Sequence, residues 1–132
     1  VIRHVAEKEF RAWKRLYENY QIRQDHGFDY VPVEPILSFN QRKDGLVDVY
    51  SSVLDCKYRD WQYWKGWGLW EKELEIDFRK LTKICNEIWF IHGHNGDGHN
   101  CVLRFYRDEK GEVDYSKKPR IYIIDFDEAR WK

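Results

Sequence analysis

A chain of 132 residues, 42% of them apolar, can bury one core but not two, so residues 1–132 read as a single domain. Its 23 basic and 23 acidic residues cancel, so nothing in the overall charge points to a nucleic-acid groove or an anionic membrane surface as partner, and only local patches are left to do so. No apolar run reaches the length of a bilayer span, and Cys56, Cys85 and Cys101 form an odd, scattered set that suits a reduced cytoplasmic protein better than a disulfide framework.

The first element is expected between Val5 and Gln24. There Ala6, Phe10, Trp13, Tyr17 and Tyr20 recur at steps of four and three, the period of an amphipathic helix with one buried stripe. "DHGFDYVPVEP" follows, where Gly27, Pro32 and Pro35 impose loop or edge-strand backbone. "LVDVYSSVL" (Leu46 to Leu54) sets Val47, Val49, Ser51 and Val53 on one face, which predicts a strand, and Ile36 to Phe39 is expected to pair with it across an Asp44-Gly45 turn.

"YRDWQYWKGWGLW" is dense in aromatic rings without a clean period, and its rings suit core packing, with base or sugar stacking as the other option. A second helix is expected from Trp70 to Trp89, with Leu74, Phe78, Leu81, Cys85 and Ile88 on its apolar stripe. "CVLRFY" and "RIYIIDF" read as two strands separated by the solvated turn "RDEKGEVDYSKKP". Two main helices and antiparallel strand pairs make the predicted fold class α+β.

Between the second helix and these strands lies "FIHGHNGDGHNCVLRF", with three histidines, two asparagines, an aspartate and three glycines. Phosphoryl transfer needs a carboxylate to orient or deprotonate the acceptor, and an amide with a second carboxylate to hold magnesium over the nucleotide phosphates. Asp97, Asn100 and Asp125 supply those groups in that order.

At this point the chain resembles the protein-kinase-like fold, closest in style to small atypical members such as the RIO and aminoglycoside-phosphotransferase groups. "IHGHNGDGHNCVL" is similar to their His-Gly-Asp loop with an asparagine further on, and "YIIDFDEA" to their Ile-Asp-Phe step. "EKEFRAWKRL" looks like the helix whose glutamate, here Glu9, pairs the ATP-orienting lysine. On this resemblance residues 1–58 are N-lobe-like and 59–132 C-lobe-like. It implies ATP and Mg2+ as cofactors, Asn100 and Asp125 as metal ligands, Asp97 as the acceptor-orienting carboxylate, His92 as support for the loop, and a protein or small molecule as phosphate acceptor.

Three departures qualify what the resemblance implies. The family's spacing, carried back from Asn100, places Asn95 in the catalytic position, and an amide is no base at neutral pH. The Gly-rich loop, the strand lysine and the further C-lobe helices that the resemblance implies are not among these residues. The expectation is a truncated or minimal kinase-like unit, a pseudokinase when isolated. Two alternatives stand beside it. One is a non-catalytic interaction module that uses the aromatic segment as its contact. The other is a zinc-dependent hydrolase, since His92, His94, Asp97 and His99 resemble the metallo-β-lactamase signature with two extra residues.

Overall fold

The computed structural model describes residues 2–19, 27–63, 67–91, 101–124 and 129–131. The chain opens with a strand that the helical period obscured: β1 (Ile2–Ala6) precedes α1 (Glu7–Glu18). Val5 was expected inside the helix. It lies instead opposite Val47 in an antiparallel ladder, because its β-branched side chain fills the sheet face. The buried stripe of α1 is also rotated from the expected one. Phe10, Trp13 and Leu16 face the core, while Ala6 and Tyr17 are exposed, so aliphatic Leu16 takes the place assigned to the phenol. Tyr20 to Gln24 lie outside the described residues.

β2 (Ile36–Gln41) and β3 (Leu46–Ser51) form the expected hairpin, with Gly45 at φ +88° and the Leu46 amide donating to Asp44 Oδ1 at 3.1 Å. The first sheet has the order β1-β3-β2. Val47, Val49 and Ser51 are buried as the alternation predicts, but the strand ends at Ser51 and Val53 is exposed.

The second sheet combines β4 (Cys56–Lys57), β6 (Cys101–Arg104) and β7 (Arg120–Ile123), in the order β4-β6-β7. α2 (Trp67–Ile88) leads into β5 (Trp89–Ile91), which pairs with β8 (Ala129–Trp131). The class is α+β with antiparallel sheets, as expected. No helix among the described residues is long and apolar enough to cross a membrane.

One apolar cluster joins both sheets and both helices, with Leu16, Val49, Leu74, Leu81, Leu103 and Ile121 all essentially solvent-free. The aromatic segment feeds it. Tyr58–Tyr63 is a 3-10 helix that places Trp61 at zero exposure, its ring 4.8 Å from Phe105. Tyr58 stacks on Phe78 at 4.8 Å, and Trp70 Nε1 donates to the Tyr115 carbonyl at 2.8 Å. The turn between β6 and β7, expected to be wholly solvated, therefore packs Val113 and Tyr115 onto the core. It also sends Lys118 to the buried Asp77 carboxylate of α2 at 2.8 Å.

The outer side of β7 is closed by the loop before β2. Tyr30 hydroxyl donates to the Ile121 carbonyl (3.0 Å) and accepts from the Ile121 amide (2.8 Å), and Val33 bridges Ile123.

Trp61 tests this core. Its indole N–H is buried without a hydrogen-bond partner among the described residues. Trp61→Ala is expected to cost about 3–5 kcal/mol through the cavity it leaves. Trp61→Phe should cost clearly less, because it removes the unsatisfied donor along with part of the ring. Urea denaturation of both variants measures the difference, and equal losses would show that the N–H carries no penalty.

Candidate functional site

The site grows from the alternation of β1. Arg3 and Val5 lie opposite Val49 and Val47 and share their inward face, while His4 turns outward to Asp48 at 2.5 Å. An arginine on a core-facing position needs an anion, and two are present. Arg3 Nη2 donates to both carboxylate oxygens of Glu34 at 2.5 Å, and Nη1 lies 3.8 Å from Glu9 Oε1. Glu9 thus sits one helical turn into α1, facing back to the strand that precedes it.

Glu34 is held on every side. It lies between two prolines, Pro35 biasing its backbone toward the extended region. Its amide donates to the Ile123 carbonyl at 2.9 Å, and its own carbonyl accepts from Trp13 Nε1 at 2.8 Å. The side chain is buried, and that burial pushes its carboxyl pKa above the ordinary value. Arg3 opposes the rise, and the Glu9 charge adds to it.

Beside this cluster lies a cavity of about 390 Å³, walled by Arg3, Glu34, the segment Ser51 to Leu54, and Ile124. The segment crosses from the first sheet to the second, and the Ser52 amide is anchored to the Pro35 carbonyl at 3.0 Å. The cavity therefore lies where both sheets meet, with a guanidinium on one wall and the residue before Asp125 on another.

Of the residues expected to carry chemistry, Glu9 is described, and it pairs with a basic residue of the preceding strand. That partner is an arginine within the chain, whereas the resemblance implied a lysine. His92, His94, Asn95, Asp97, His99, Asn100 and Asp125 lie outside the described residues. Their described neighbours are ordered by the ladders: Cys101 faces Ile123, and Ile91 faces Ala129.

Among the described residues no group of three or more His, Cys, Asp or Glu side chains is placed to hold a metal. Burial raises the Cys56 thiol to about 12, so it is no nucleophile at neutral pH. Arg3 and Glu34 were missed in the sequence. The signal for Arg3 was its alternation with Val5, masked by the strong helical period that begins beside it. Glu34 had only its flanking prolines.

Comparison of the chain with protein-family models, curated proteins and solved structures finds no match to any of them.

The cluster makes a prediction with a definite sign. Glu34 holds its proton to a higher pH when folded than when unfolded, so the folded state binds more protons between the ordinary carboxylate value and the raised one. Its contribution to stability is complete below that interval and is lost as pH rises through it. Chemical denaturation across the interval should show stability increasing on acidification, and Glu34→Gln should flatten the slope. At pH 7, Arg3→Ala should cost about 3 kcal/mol by leaving a buried carboxylate without its cation, and adding Glu34→Gln should recover most of the loss.

Proposed function

We propose that this chain is a kinase-like nucleotide–magnesium domain, related in design to phosphotransferases and without appreciable turnover as the isolated 132-residue unit. The observation that carries the reading is the Arg3–Glu9 pair. In protein kinases a basic residue on a strand must pair with a glutamate of the neighbouring helix before ATP is oriented. Here a strand runs directly into a helix, and the two groups meet beside a cavity.

The β6–β7 ladder supports the same reading. Cys101, next in sequence to Asn100, faces Ile123, which lies two residues before Asp125. Asn100 and Asp125 are the residues that would hold magnesium, and their carboxamide and carboxylate oxygens suit a hard cation. Magnesium would supply charge neutralisation over the nucleotide phosphates. Asp97 is the acceptor-orienting group, unless Asn95 takes that place. An ATP-dependent role is in keeping with a cytoplasmic location.

Two features argue for low activity. Arginine carries its charge in a planar fork and does not substitute freely for a lysine point charge. That fork is also engaged by two carboxylates, Glu34 through both oxygens, so the cluster is net negative where phosphates would approach. The same observation favours a second reading, a non-catalytic kinase-like interaction module. Trp61 is buried, so it is not the contact that the sequence suggested for such a module.

Calorimetry with ATP is expected to show binding that requires magnesium and weakens about tenfold or more in Asn100→Ala and Asp125→Ala. Glu34→Gln should tighten it by releasing Arg3. Labelled-phosphate transfer should stay at background. Robust transfer lost in both Asp97→Ala and Asp125→Ala would overturn the inactive assignment. Failure to bind nucleotide would leave the interaction module. Stoichiometric zinc kept through dialysis and lost in His94→Ala or His99→Ala would point to the hydrolase.

A further inference from the structure

A second cavity, of about 710 Å³, shares Ser52 and Val53 with the first and is otherwise walled by residues from the end of the β6–β7 hairpin and by Asp55. Its chemistry is different. Arg104 and Arg120 are directly opposite each other in the antiparallel ladder, so they leave the same face of the sheet a few ångströms apart. Like charges in that position destabilise a sheet. Among the described residues no carboxylate lies within ion-pair distance of either one.

The surrounding groups hold this charge in place without neutralising it. The Arg120 guanidinium lies 5.0 Å from the Tyr30 ring centroid and 5.4 Å from that of Tyr106, which fixes its plane. Asp29 attracts it from beyond ion-pair distance. Arg107, the third arginine on the wall, is spent: it binds the Asp55 carboxylate and donates to the Gly111 carbonyl at 3.0 Å. Asp55 is spent as well, since it also accepts the Phe105 amide at 2.8 Å. With Arg107 neutralised by Asp55 and Arg120 hydrogen-bonded to Tyr122 and facing only the more distant Asp29, the wall keeps an excess of positive charge at Arg104 and Arg120.

We infer that this cavity binds a phosphate monoester, its dianionic phosphate gripped between Arg104 and Arg120. The excess positive charge favours a dianion over a monoanion, and the guanidinium forks match its oxygens. The volume lies within the range of small-ligand sites and exceeds what a bare phosphate fills, so the exposed Val53 side chain is left for the organic part. The inference is independent of the nucleotide reading. It shares only Ser52 and Val53 with the first cavity and needs neither magnesium nor Arg3.

Calorimetry on the full chain at low ionic strength, with glycerol 3-phosphate and with a phosphoserine peptide, tests it. Glycerol and the unphosphorylated peptide serve as blanks. One-to-one, phosphate-dependent binding of at least one probe is expected, weakening as salt is raised. Binding of glycerol 3-phosphate identifies a small metabolite as the ligand class, and binding of the peptide alone identifies a modified protein.

Arg104→Gln and Arg120→Gln should each weaken binding about tenfold or more. Arg104→Lys, which keeps the charge and loses the fork, should fall between. Without ligand, Arg104→Gln should melt no lower than the native chain, because it relieves a like-charge pair, and this checks that lost binding is not lost folding. Absence of phosphate-dependent binding with both probes, or undiminished affinity in the doubly substituted chain, overturns the proposal.

Discussion

A guanidinium shared between two carboxylates ties together the first strand, the first helix and the loop before the β2–β3 hairpin. Arg3 comes from the first strand, Glu9 from the helix that follows, and Glu34 from the segment that meets the end of the β6–β7 hairpin. Had Glu34 been left without a cation, its burial would cost several kcal/mol, so the position of β1 and the path of residues 32–35 depend on each other. The Trp13 hydrogen bond to the Glu34 carbonyl adds α1 to the same junction. Both cavities lie beside the short segment that leaves this junction for the second sheet.

Burying charge in this way is an inefficient route to stability. An apolar trio of similar volume would hold the two sheets together at least as well. What the charges add is orientation: a bidentate arginine–glutamate contact tolerates little rotation, so Arg3 faces the cavity at a set angle. The same engagement keeps the guanidinium from reaching phosphates freely, and this is the link between the packing and the low activity proposed for the domain.

The periodic parts of the fold were legible in the sequence. α2 announces itself through Leu74 and Leu81, and the β2–β3 hairpin through the alternation of Val47 and Val49 around Asp44-Gly45. What was not legible was short or depended on distant partners. Five residues of β1 carry too little period to compete with the stripe that starts at Ala6, and nothing local distinguishes Leu16 from Tyr17 as the buried residue. The strand end at Ser51 is set by the Pro35 contact, which no local pattern encodes. The candidate site divides in the same way. Glu9 could be named from its helix, whereas Arg3 and Glu34 acquire meaning only when strands distant in sequence are brought together. The loop from His92 to Asn100 remains a matter of residue types and spacing.

Tyr30 shows how a single hydroxyl can govern behaviour at high concentration. A strand at the edge of a sheet offers a row of unpaired amides and carbonyls to any passing chain, and that offer is how ordered aggregates begin. Tyr30 occupies both backbone groups of Ile121 with one oxygen, and Pro32 and Glu34 take those of Ile123. The apolar strand Arg120–Ile123, the kind of segment that would zip against copies of itself, is therefore sealed from outside by the stretch 30–34, which forms neither helix nor ladder strand. Protection of this strand edge rests on residues that a reading of helices and strands would pass over as connection.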